Sequence, residues 1–72
     1  MSRTGQNIRK LRFLKKLSQA ELAQKAGLSQ GIISGYESGK KNPKLEHLRR
    51  LANALDVSVA VIDESHLIPP SK

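Results

Sequence analysis

Gln30, Gly31, Ser34, Gly35 and Ser38 are the residues of this sequence whose types and spacing most suggest chemistry. On a helix turning about 100° per residue they fall within one arc of roughly 140°, with Ile32, Ile33 and Tyr36 on the opposite arc. A helix face turned only to water usually carries long charged side chains. This one offers an amide, two hydroxyls and two glycines, so another surface can come close to its backbone. In a duplex major groove a glutamine amide can pair with the N6 and N7 edge of adenine, and a serine hydroxyl can bond to either kind of base. Each glycine costs about 1 kcal/mol relative to alanine inside a helix. Close approach to DNA is one reason for two of them; drift at a weakly constrained surface is the other.

The remaining candidate chemistry is thin. His47 and His66 are the only histidines, there is no cysteine, and no carboxylate cluster accompanies either imidazole. No nucleophile, base and orienting group can be assembled, so neither catalytic residues nor a metal site is expected, and no cofactor or small-molecule ligand with them. The serines read as helix caps.

Charge is the second signal. The 72 residues carry a net charge of +7, but residues 1–44 hold +8 of it and residues 45–72 amount to −1. A cationic half on a small domain suits a polyanion, most often nucleic acid, because each neutralised phosphate releases condensed counterions. The same lysines and arginines could merely solubilise the surface, and charge alone does not choose between the two. No apolar run approaches the roughly 18 residues of a membrane span, and the N-terminus lacks the apolar stretch of a signal peptide. A cytoplasmic chain with no membrane partner is therefore expected.

Five short helices must position these groups. The first, about Gly5 to Lys15, places Ile8, Leu11 and Leu14 at helical spacing. Ser18-Gln19-Ala20-Glu21 fits a capping box that opens a second helix with Leu22, Ala23 and Ala26 inward, and Gly27 can end it in the left-handed conformation. Ser29 caps the third helix, about Gln30 to Ser38, which Gly39 can terminate. Pro43 precedes a fourth, about Lys44 to Leu55, with Leu45, Leu48, Leu51, Ala52 and Leu55 on one face. Ser58 can cap a last short helix reaching about Asp63. Helices two and three, each about two turns and joined by Ala26-Gly27-Leu28-Ser29, have the proportions of a helix-turn-helix.

The run Leu17-Ser18-Gln19-Ala20-Glu21-Leu22-Ala23-Gln24-Lys25-Ala26-Gly27-Leu28-Ser29-Gln30, then Ile33-Ser34-Gly35-Tyr36-Glu37-Ser38-Gly39-Lys40 and Asn42-Pro43, resembles the Cro and phage-repressor type of helix-turn-helix protein, the xenobiotic-response-element class. The likeness covers about Ile8 to Ile62. It implies an all-α fold, a compact five-helix bundle of the lambda-repressor-like DNA-binding type, and a sequence-specific transcriptional regulator, a repressor in the usual case. Such a protein binds a palindromic double-stranded operator as a homodimer with helix three in the major groove.

By the same resemblance, Gln19 holds a phosphate and braces helix three. Gln30, Gly31, Ser34 and Gly35 match the base-reading positions, while Ser38, Lys40, Lys41, Asn42 and Lys44 fall where the family grips the DNA backbone, with Ser29 counted beside them. Arg12 and Glu37 match a partly buried ion pair between helix one and helix three. Several residues depart from the pattern. Relatives often carry longer polar side chains at Gly31 and Gly35, Phe13 stands where they tend to be polar, and Lys16 replaces a common glycine or asparagine.

The domain is expected to span residues 1–64, with residues 65–72 a C-terminal tail that is either flexible or part of a dimer interface. Val57, Val59, Val61, Ile62, Leu67 and Ile68 exceed what one short helix can hide, and such surface often marks an interface. Val57, Val59, Ile62, Leu67 and Ile68 are thus the dimer candidates, unless Leu67 and Ile68 fold back on helix one. The alternative function is an antitoxin or antirepressor-like protein-interaction module on the same scaffold.

Overall fold

The computed structural model describes residues 3–63. Five helices follow one another: α1 (Arg3–Leu14), α2 (Gln19–Ala26), α3 (Gln30–Glu37), α4 (Leu45–Leu55) and α5 (Val59–Ile62). No strand occurs among the described residues. The all-α five-helix bundle anticipated above is thus the architecture. Local signals account for most boundaries. Ser18 closes the full capping box, its hydroxyl accepting from the Glu21 N–H at 3.0 Å and its own N–H donating to the Glu21 carboxylate at 2.7 Å. Gly27 takes φ +71° and ends α2, and the Ser29 hydroxyl accepts from the Ile32 N–H at 3.2 Å to begin α3.

Other boundaries differ from the sequence reading. Helix α1 begins at Arg3, before the expected Gly5, and Leu14 is 75% exposed instead of joining the apolar stripe. Ser58 sits at the N-cap of α5 without a side-chain cap bond, and Lys44 likewise precedes α4 uncapped. Leu45 is 42% exposed at the outer end of α4.

Ile8, Leu22, Ile33, Leu48, Leu51, Leu55 and Ile62 are completely buried, so all five helices contribute to one core. Helix α2 packs against α3 and α4, and α5 lies on α4 and α1, where the Asn7 side-chain amide donates to the Ile62 carbonyl at 2.9 Å. Gly5 permits a close approach of two helices. A Cβ there would collide with the carbonyl oxygen of Tyr36, so α1 crosses directly over the last turn of α3. That crossing holds α3 from behind.

Candidate nucleic-acid interface

Helix α3 is built with one face sealed. Ile33 is fully buried, Tyr36 is 5% exposed and Ile32 is half-buried against the core. The Tyr36 hydroxyl lies 2.5 Å from Nδ1 of His47 on α4, a bond that fixes the helix laterally. The phenol donates when Nδ1 carries no proton, and accepts when Nδ1 is the protonated nitrogen. Burial raises the Tyr36 phenol above its ordinary value of 10. His47 had no role in the sequence reading; its partner lies 11 residues away and only the fold brings the two together.

The opposite face is open. Gln30, Gly31, Ser34 and Ser38 are exposed, and a Cβ at Gly31 would meet nothing closer than the Ser29 hydroxyl at 4.0 Å. Gly35 alone of this arc is half-buried, because Lys41 covers it: a Cβ at Gly35 would stand 3.6 Å from Cδ and 3.7 Å from Cγ of that lysine. The Lys41 N–H also donates to the Gly35 carbonyl at 3.2 Å, so the loop after α3 folds back along it. Gly39, at φ +82°, makes that reversal. Lys40, Asn42 and Lys44 extend from the same loop into solvent, as does the capping serine, Ser29, at the other end of the helix.

Arg12 and Glu37 form the ion pair expected between α1 and α3. Arg12 Nε donates to Glu37 Oε2 at 2.7 Å and Nη2 donates to Oε1 at 3.1 Å, while Nη1 reaches the Leu17 carbonyl at 2.9 Å. Both side chains are less than a tenth exposed. Gln19 Nε2 donates to the same Glu37 Oε1 at 3.0 Å, so the first residue of α2 does brace α3. Such two-point charge-assisted contacts fix orientation as well as energy.

Around this pair Arg9, Arg12, Gln19, Ser34, Glu37 and Ser38 line an open polar cleft that joins α1, α2 and α3. Arg9 enters it beside Phe13, its guanidinium 5.6 Å from the ring centroid; Arg12 lies 4.6 Å from the same ring. Phe13 itself is 58% exposed. Arg9 is not among the candidate residues named from the sequence. Its position one turn before Arg12 was the available signal that it shares this face.

The dimer candidates separate. Ile62 is wholly buried in its own core, and Val57 and Val59 are half-buried against that core, which leaves Val61, 49% exposed, as the open apolar residue of α5. Four consecutive residues on a helix point all round it, so α5 cannot present every valine and isoleucine outward. Leu67 and Ile68 lie outside the described residues. Arg50, exposed on α4, reaches the Gly27 carbonyl at 3.4 Å. Among the described residues no three metal-ligating side chains converge, and no helix is long and apolar enough to cross a membrane.

Comparison with known proteins adds the following. Residues 8–62 match the family model described as helix-turn-helix. The chain is 40% identical over 65 residues to the immunity repressor protein of Bacillus phage phi105, an alignment covering 89% of this chain and 45% of that protein. It superposes on the restriction-modification controller protein C.AhdI from Aeromonas hydrophila with a TM-score of 0.81 at 38% identity, covering 83% and 91% of the two chains. On the crystal structure of the biofilm regulator SinR, a Bacillus subtilis protein, in complex with DNA, the TM-score is 0.78 at 37% identity, covering 83% and 98%. The chain spans 23% to 58% of the length of the phage repressor and two further curated relatives.

Proposed function

Because the chain belongs to the helix-turn-helix family of the Cro and phage-repressor type, we propose that it is a transcriptional repressor that binds a palindromic double-stranded DNA operator as a homodimer. The observation that carries this reading is α3 itself. Its inner face is locked by Ile33, Tyr36 and the Arg12–Glu37–Gln19 contacts, and its outer face, Gln30, Gly31 and Ser34, has no side chain long enough to keep a groove away. Gln30 pairs with an adenine edge and Ser34 with its neighbour, while Ser29, Ser38, Lys40, Asn42 and Lys44 grip the phosphates. Gln19 adds a phosphate contact from the cleft that Arg9 lines. Residues 1–64 are the DNA-binding domain in this reading.

The exposed Val61, flanked by half-buried Val57 and Val59, supports a second copy docking at α5. A two-fold dimer presents two α3 helices to successive major grooves, so its half-sites stand about one helical turn apart.

Selection of bound duplexes from a random pool tests the proposal. A palindromic winner, bound far above random DNA and with strong salt dependence, is the expected result. Enrichment of nothing, with only weak salt-sensitive binding, would overturn it.

A further inference from the structure

Of the positions on the open arc of α3, Gly35 is the one whose space is already filled. The Cγ and Cδ atoms of Lys41 lie in van der Waals contact with the place a side chain at Gly35 would start, and the backbone of Lys41 is tied to the Gly35 carbonyl at 3.2 Å. The glycine is not forced by collision, since a Cβ there would find ordinary contacts at 3.6 and 3.7 Å. With no side chain on Gly35, the lysine stem occupies the space beside it. Gly31, by contrast, is left open, with no neighbouring side chain laid over it closer than the Ser29 hydroxyl.

We propose that Lys41 serves as the missing side chain of Gly35: a specificity-determining residue that presents its ammonium, two bonds beyond Cδ, to a guanine edge in the groove occupied by α3. This rests on the DNA-binding reading above and replaces the backbone-gripping role that the family resemblance gives Lys41. A lysine in the major groove donates to guanine O6 and N7, the two acceptors that distinguish that base. A free lysine on a loop pays the full loss of rotamer freedom on such a contact. Here the stem is already laid along the helix and the backbone is bonded to it, so less freedom is lost on binding.

The test compares wild type, Lys41→Met and Lys40→Met on the selected duplex and on all single-base substitutions of one half-site. Lys41 is exposed, and methionine keeps the stem while removing the ammonium, so thermal unfolding should be unchanged. Lys41→Met should erase a preference for guanine at one position, about ten-fold or more, and keep the preferences elsewhere. Lys40→Met should weaken every duplex by the same factor. Gly35→Gln, which displaces the stem, should alter preference at the base position that Lys41→Met affects. If Lys41→Met instead lowers affinity for all duplexes equally, with the salt slope reduced as in Lys40→Met, Lys41 is a phosphate contact and the proposal is wrong. A wild-type protein that prefers no sequence would remove the regulator reading itself, an outcome seen before any variant is measured.

Discussion

Glu37 takes two hydrogen bonds from Arg12, at 2.7 and 3.1 Å, across 25 residues of sequence, and neither side chain is more than a tenth exposed. The contact is therefore a joint between α1 and the last turn of α3. Removing one partner leaves a buried charge without its counterpart. Glu37→Ala should lower the unfolding free energy by about 3–5 kcal/mol, and Arg12→Met with Glu37→Leu should recover much of that loss. Urea denaturation of the three proteins measures both; a single-variant loss under about 1 kcal/mol would contradict the joint.

Among the described residues the Gln30 side chain makes no hydrogen bond in which a structural role could reside; it is exposed at the first position of α3. Gln30→Ala should leave the melting temperature unchanged and lower affinity for the selected site by about 1–3 kcal/mol, relaxing preference at one base pair. Affinities on a panel of single-base variants check this.

Tyr36 is the chain's one tyrosine, so alkaline spectrophotometric titration of the protein reports it alone. Burial raises its pKa, and the folded state accordingly holds the proton that the unfolded chain releases near pH 10. Its contribution is fully present below pH 10 and is lost as pH rises through the higher folded value. Stability should fall over that range, and Tyr36→Phe should abolish this part of the fall while costing about 1 kcal/mol at neutral pH for the lost His47 bond.

Lys16 occupies the left-handed region at φ +59°, where a side chain costs about 1 kcal/mol or more relative to glycine. Lys16→Gly should therefore raise stability, by about 0.5 kcal/mol once the greater freedom of the unfolded glycine is deducted. Thermal melts of the two proteins decide it. Asp56, at φ +60°, shares the conformation, but aspartate tolerates it better.

Local signals were readable and distant ones were not. The Ser18–Glu21 box, the Ser29 cap and the left-handed Gly27 and Gly39 each act within a few residues, so composition at fixed offsets identifies them. The open arc of α3 was legible because helical periodicity alone separates Gln30 and Ser34 from Ile33 and Tyr36. Gly5 looked like a helix start, yet its use is the crossing over Tyr36, 31 positions away. The Tyr36–His47 bond, the Arg50 reach to Gly27 and the Lys41 stem on Gly35 likewise depend on how helices and loops are set in space. Ile62 misled for the opposite reason: an apolar residue near the end of the domain reads as surplus until α5 folds onto α1 and α4.

If the open face of α3 is the surface that meets DNA, the backbone amides of that face must respond to the duplex. Titrating isotope-labelled protein with the selected duplex and mapping backbone amide shifts tests it most directly. Large perturbations should fall on Gln19, on residues 29–35, on residues 38–42 and on Lys44, with those amides returning towards their free positions as salt is raised. Perturbations centred on α4 or on the exposed Phe13 and Leu14, with α3 silent, would contradict it.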